Sequence, residues 1–125
     1  MKKILYFDMD NVLVDYNPKV PFKDMKPIPG AIDAFHKLRE YFDVYILTTA
    51  PWRNPEAWKD KRLWVEKHLG DAAKKSLILT HNKNLNIGDY LIDDRPNNGA
   101  EQFTGEWIKF KGDWELTLDY LIKNK

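Results

Sequence analysis

The chain of 125 residues contains no cysteine, little net charge and no long apolar run. The absence of cysteine excludes disulfide bonds and thiolate chemistry, so any bound metal must take oxygen or imidazole ligands. The formal net charge of +1 argues against a protein that mainly coats nucleic acid or an acidic membrane, but allows contact with a single phosphate. Only four apolar residues follow Lys3, too few for a secretory signal or a membrane span. We therefore expect a cytoplasmic protein without a membrane partner.

What the chain does contain indicates one compact globular domain over residues 1–125. Hydrophobic residues make up 43% of the sequence and aromatic residues 14%, which is enough for a real core. Strand-like apolar runs alternate with helix-like segments along the whole length. This alternation is typical of an α/β fold with a parallel sheet flanked by helices.

Five strands and three helices are predicted. The strands lie at residues 3–7, 44–47, 77–79, 90–92 and 107–110. The first helix opens at Pro29 and Gly30, and its apolar positions at helical spacing are Ile32, Phe35, Leu38 and Phe42. A second helix begins at Pro55 with Asn54 as its cap and is stopped by Gly70, and Asp113 caps the third. Between the first strand and the first helix, residues 17–29 are irregular and contain four prolines.

Polar residues follow four of the predicted strands at the point where each strand ends. They are Asp8 and Asp10, Thr48 and Thr49, Lys83, and Asp93 and Asp94. In open parallel sheets, ligands bind at the edge formed by the carboxyl ends of the strands. These side chains are therefore predicted to meet at one site.

Asp8 and Asp10 end a run that is otherwise apolar, where carboxylates are costly unless something compensates them. A helix start, a hydrogen-bond network or a metal ion would each do so. A calcium loop is excluded, because Val12 and Leu13 stand where that pattern needs a polar ligand and a glycine. Alternate residues of an extended backbone point the same way, so one carboxylate could act as a nucleophile while the other transfers protons.

Asp93 and Asp94 have two interpretations, a polar turn or part of a metal site. Several carboxylates close to Asp8 would repel one another unless a divalent cation lay among them. An oxygen-only site with room for water suits Mg²⁺. Thr48 and Thr49 are equally compatible with a plain strand end, and Lys83 is one of twenty basic residues. Their position beside the acidic residues is what suggests phosphate binding.

The order of these residues resembles the four motifs of the haloacid dehalogenase superfamily of phosphohydrolases. Within that superfamily the chain is similar to the 5′(3′)-deoxyribonucleotidases of cytosolic type C. The matching stretches are DMDNVLVD, PIPGAIDAFHKL, VYILTTAPW, KRLWVEKHLG, LILTHNK and YLIDDRPNN. They cover most of the chain up to about residue 98.

The resemblance implies a Rossmann-like fold and two-step hydrolysis of a phosphomonoester. Asp8 would attack phosphorus to form an aspartyl-phosphate, while Asp10 would protonate the leaving oxygen and then activate water. Mg²⁺ would be held by the Asp8 carboxylate, the Asp10 backbone carbonyl and Asp94, with Asp93 acting through water. The phosphate would be bound by Thr48, Thr49 and Lys83.

The chain departs from its relatives in having no room for a helical cap. Residues 11–29 leave only a short flap, and Asn11 stands where glycine is usual. The implied substrate is a small phosphomonoester, a nucleoside monophosphate, with Tyr16, Trp52 and Arg95 as candidate contacts. An open site should bind it loosely. A neighbouring subunit could roof such a site, so a homo-oligomer is compatible with the sequence.

Three other functions stay open from the sequence alone. A capless phosphatase could instead act on a nucleic-acid end, a sugar phosphate or a phosphoprotein. A response-regulator receiver also gathers acids, Thr and Lys at strand ends, although it places its acidic pair and its phosphorylated aspartate on different strands. A module that binds Mg²⁺ or phosphate without turnover would keep the same residues.

Overall fold

Five parallel strands form the centre of the computed structural model, which describes residues 1–125. The strands are β1 (Lys3–Phe7), β2 (Phe42–Thr48), β3 (Leu77–Leu79), β4 (Tyr90–Asp93) and β5 (Glu106–Lys109). Their order in the sheet is β3-β2-β1-β4-β5, and every neighbouring pair is parallel. From β1 the chain adds β2 and then β3 on one side of the sheet. It then crosses back and adds β4 and β5 on the other side of β1. Such a reversal leaves a crevice at the carboxyl ends of the strands, and here it lies between β1 and β4.

Three α-helices connect the strands: α1 (Ala31–Leu38), α2 (Pro55–Leu69) and α3 (Trp114–Lys123). The predicted caps differ in outcome. Asp113 accepts a hydrogen bond from the Leu116 backbone N–H at 3.2 Å, as predicted. Asn54 is the N-cap residue of α2, as predicted, but its side chain makes no capping hydrogen bond. Pro55 supplies the fixed φ of the first turn, and Gly70 ends α2 with φ +57°.

Phe42 also differs from its prediction. It lies at helical spacing from Leu38 but begins β2, because α1 ends at Leu38 in a turn closed by the Tyr41 N–H on the Leu38 carbonyl. Phe42 is buried, and its ring meets Tyr90 edge to face at 6.0 Å. A buried aromatic residue at a helix–strand junction fits either period, so hydrophobic spacing alone could not decide between them.

Strand β1 is buried on both faces of the sheet, as its continuous apolar run predicts. Leu5 and Phe7 belong to a large core that includes residues of all three helices. Tyr6 points to the opposite face and packs in a smaller cluster with Leu47 and Phe103. The strand that carries the candidate nucleophile is therefore held rigidly from both sides. None of the three α-helices has the length and hydrophobicity that a membrane span requires.

Candidate active site

A cavity of about 450 Å³ opens at the carboxyl ends of the strands. We call it the phosphate cavity. Of the residues predicted for the site, it is lined by Asp8, Asp10, Tyr16, Thr49, Lys83, Asp93 and Arg95. Residues from four separate strand ends therefore meet in one place.

Lys83 joins the two acidic strand ends. Its ammonium group lies 2.5 Å from Asp93 Oδ2 and 3.2 Å from Asp8 Oδ1, and all three residues are buried. The Asp8 N–H bonds the Ile92 carbonyl at 2.9 Å, which continues the pairing of β1 with β4 and brings the two carboxylates side by side. Because a buried charge is tolerated only when it is paired, this lysine and these carboxylates depend on one another.

The charges around Lys83 do not cancel. Burial, reinforced by the charge of Asp8, raises the pKa of Asp93 to about 7, although Lys83 opposes this shift. Burial alone would lower the pKa of Lys83, but the two carboxylates outweigh it and raise that pKa. One lysine faces two buried carboxylates, so the site has an excess of negative charge that another cation would neutralise.

Asp94 completes an acidic cluster. Carboxylate oxygens of Asp8, Asp93 and Asp94 all lie within 4.8 Å of one another. The donors are oxygens only, and the site opens to a cavity with room for water. This donor set and the excess negative charge both fit Mg²⁺.

Asp10 has a different cationic partner, Lys61, which the sequence analysis missed. The Lys61 ammonium lies 3.2 Å from Asp10 Oδ1, 2.8 Å from Thr48 Oγ1 and 2.5 Å from the Thr49 carbonyl oxygen. Lys61 is only 2% exposed. A signal was present in the sequence, since Lys61 precedes Trp64 and Val65 by three and four residues and so shares the buried face of α2.

The environment of Asp10 suits a proton donor. Burial raises the pKa of its carboxyl, Lys61 opposes that shift, and the charge of Asp8 adds to it. A carboxyl with a raised pKa keeps its proton at higher pH than an ordinary aspartate does. It can therefore act as a general acid nearer to neutral pH.

The two threonines at the end of β2 differ in their relation to the cavity. Thr48 is fully buried and does not line the cavity, because its hydroxyl accepts the hydrogen bond from Lys61. Thr49 does line the cavity, but its hydroxyl donates to the Thr80 carbonyl at 2.6 Å. The backbone N–H groups of Thr49 and Ala50 make no hydrogen bond within the protein. At this strand end the donors that stay free are therefore backbone groups.

The flap, residues 11–29, is anchored to the body of the protein. It contains one short 3₁₀ turn, Phe22–Asp24, and no α-helix. Its two ends are joined by a hydrogen bond from the Asp15 N–H to the Lys26 carbonyl. The Trp64 indole N–H donates to the Met25 carbonyl at 2.8 Å, which fixes the flap against α2. Asn11 begins the flap with φ +62°, a conformation that asparagine tolerates better than most residues.

The three candidate substrate contacts separate into two groups. Tyr16 and Arg95 line the cavity, and Tyr16 is partly exposed. Trp52 does not line it and is 78% exposed. Its ring instead meets Trp58 at 6.5 Å and His81 at 6.1 Å, so it packs beside the start of α2.

Comparison with known proteins places this site in a family. The family model described as "5' nucleotidase, deoxy (Pyrimidine), cytosolic type C protein" matches residues 16–119. That range begins after Asp8 and Asp10. A protein of Vibrio phage KVP40 named "Putative 5'(3')-deoxyribonucleotidase" covers this first motif as well, being 49% identical over 96% of the chain and 85% of its own length.

Cellular relatives match a smaller part of the chain. A Bordetella bronchiseptica protein of the same name as the phage protein is 47% identical over 59% of the chain. The human 5'(3')-deoxyribonucleotidase, cytosolic type, is 35% identical over 78% of it. The chain spans 40% and 50% of the length of these two relatives. The resemblance inferred from the motifs is confirmed, and the chain belongs to the cytosolic type C family of 5′(3′)-deoxyribonucleotidases, within the haloacid dehalogenase superfamily.

Proposed function

We propose that this protein is a Mg²⁺-dependent phosphomonoester hydrolase that acts on nucleoside monophosphates through an aspartyl-phosphate intermediate. One observation carries the proposal. Asp8, Lys83 and Asp93, which are joined by ion pairs, line the same cavity as Asp10, whose own cationic partner is Lys61. A nucleophile and a proton donor therefore stand two residues apart with separate cationic partners. The names of the relatives supply the substrate class.

In the first step a carboxylate oxygen of Asp8 attacks phosphorus, and the bond from phosphorus to the ester oxygen breaks. The phosphoryl group becomes an acyl phosphate on Asp8. Asp10, with its raised pKa, gives its proton to the ester oxygen, which leaves as an alcohol. The backbone N–H groups of Thr49 and Ala50 and the Lys83 ammonium stabilise the charge on the phosphoryl oxygens.

In the second step a water molecule attacks the phosphorus of the acyl phosphate. Asp10, now a carboxylate, accepts a proton from this water. The Asp8 carboxylate leaves, inorganic phosphate is released, and Asp10 is again protonated for the next cycle. Mg²⁺, when held by Asp8, Asp94 and the Asp10 carbonyl with Asp93 acting through water, would neutralise negative charge on the phosphate.

A panel of phosphate esters assayed with Mg²⁺ tests the proposed function. We expect hydrolysis of several nucleoside monophosphates with high KM values and little discrimination between bases, because the flap covers less of a substrate than a helical cap would. A sharp preference for one nucleotide at micromolar KM would contradict the argument from an open site. Activity only on a sugar phosphate, a phosphoprotein or a nucleic-acid end would contradict the nucleotidase assignment, and no turnover of any ester would contradict hydrolysis.

Asp10→Asn should lower kcat by ~10²–10⁴-fold on nucleoside monophosphates, because an amide cannot carry the proton in either step. The loss in the first step should be smaller on 4-nitrophenyl phosphate, whose leaving group needs no protonation. Burst-phase kinetics on both substrates measure the two steps separately. If Asp10→Asn carried out both steps on the nucleotide as fast as the unmodified protein, Asp10 would not be the acid and base.

A further inference from the structure

A second cavity, of about 310 Å³, lies between the flap and the first half of α2. Phe22 and Met25 of the flap form one side, and Ala57, Asp60 and Lys61 of α2 form the other. We call it the flap cavity. Its size falls within the range of small-molecule sites, and its mixture of apolar walls with a few polar groups is typical of them.

The flap cavity adjoins the phosphate cavity at Asp10. Asp10, Tyr16 and Pro51 line both cavities. In the proposed reaction Asp10 protonates the ester oxygen, so the leaving group must lie next to the Asp10 carboxyl. With phosphorus beside Asp8, the neighbouring space across Asp10 that can receive the leaving group is the flap cavity.

Asp60 is the unusual residue of this cavity. It is 7% exposed, yet its carboxylate makes no hydrogen bond and no ion pair with any protein group. The adjacent Lys61 is directed to Asp10 and Thr48 instead. Its oxygens are not cut off from solvent, so they reach the cavity and are free to accept a hydrogen bond from a ligand there.

A metal ion does not fit this carboxylate. A cation site needs several ligating side chains together, and the cluster that the structure provides is Asp8, Asp93 and Asp94 in the other cavity. A hydrogen-bond donor on an organic ligand needs only one acceptor. The apolar surfaces of Phe22 and Met25 would contact the rest of such a ligand.

We propose that the flap cavity binds the nucleoside leaving group and that Asp60 contributes to this binding by accepting a hydrogen bond from it. This inference rests on the proposed function. The donor is an N–H or O–H of the nucleoside, either a sugar hydroxyl or an exocyclic amino group of the base. The flap would thereby take over part of the recognition that a helical cap provides.

The test compares Asp60→Ala and Asp60→Asn with the unmodified protein on nucleoside monophosphates and on 4-nitrophenyl phosphate. We expect Asp60→Ala to raise KM for nucleotides about tenfold and to change KM for the aryl phosphate less than twofold. Asp60→Asn should lie between, since its amide oxygen still accepts but carries no charge. The free nucleoside should inhibit aryl phosphate hydrolysis competitively, and its inhibition should weaken in the variants in parallel with the rise in nucleotide KM.

Two substrate pairs identify the donor. If the Asp60→Ala effect vanishes with a 2′,3′-dideoxynucleoside monophosphate, the donor is the sugar hydroxyl. If it vanishes with a uracil but not with a cytosine nucleotide, the donor is the amino group. Asp119→Asn, at an exposed position of α3 that lines neither cavity, is the matched control.

A merely structural role for Asp60 predicts a different pattern. Removing a stabilising residue would lower the melting temperature, whereas removing an unpartnered buried carboxylate should leave it unchanged or raise it. Unchanged nucleotide KM, or equal changes on both kinds of substrate, would overturn the inference alone. Hydrolysis of the aryl phosphate with no nucleotide turned over by the unmodified protein would overturn the proposed function, and this inference with it.

Discussion

Asp8→Asn should reduce turnover by on the order of 10⁴-fold or more, as removal of a covalent nucleophile does in other enzymes. The amide has the shape of the carboxylate but is a far poorer nucleophile, and it removes one charge from the acidic cluster. The Lys83–Asp93 pair remains, so the fold should persist. Steady-state rates with Mg²⁺ measure the loss. Mass spectrometry of rapidly denatured unmodified protein should find one added phosphoryl group during turnover, and the variant should show none.

The control is the same substitution at Asp15, an exposed residue of the flap that does not line the phosphate cavity. Asp15→Asn should keep a normal rate. If Asp8→Asn turned over within about tenfold of the unmodified protein, the covalent mechanism would be excluded. A single-step attack by water would then have to be considered, with Asp8 acting only as a metal ligand.

The sequence allowed prediction of the features that depend on local order along the chain. Each acidic or cationic motif follows an apolar run, and the carboxyl ends of parallel strands share one edge, so the order of the motifs was enough to place Asp8, Asp93 and Lys83 together. The same reasoning predicted α2, whose Pro55 and Gly70 mark its two ends.

The features that depended on tertiary packing could not be predicted in this way. The spacing of Lys61 from Trp64 and Val65 places it on the buried face of α2, but its contact with Asp10 depends on how α2 packs against the flap and the end of β2. Thr48 was predicted at the cavity wall, yet the buried lysine occupies its hydroxyl. Asp60 gave no signal, because an acid in a charged helical stretch is usually solvated.

The two buried lysines have different partners, so replacing each of them should cause a different defect. Lys61 faces Asp10 and the end of β2, whereas Lys83 is the sole cation beside Asp8 and Asp93. Removing Lys83 therefore leaves two adjacent buried carboxylates without any protein cation. Breaking a buried pair in this way typically costs ~3–5 kcal/mol, because the remaining charge is uncompensated.

Lys83→Met should accordingly lower the free energy of unfolding by ~3–5 kcal/mol without Mg²⁺ and also impair turnover, since the ammonium no longer contacts the phosphate. Urea unfolding in EDTA and in excess Mg²⁺ measures the first effect. Because a ligand that binds only the folded state stabilises it, Mg²⁺ should restore more stability to this variant than to the unmodified protein.

Lys111→Met, at an exposed position without an ion pair, should change stability by less than ~0.5 kcal/mol. If Lys83→Met were as stable as this control in EDTA, the two carboxylates would not depend on Lys83. If Mg²⁺ stabilised Lys83→Met and the unmodified protein equally, the cation would not bind beside Asp8 and Asp93.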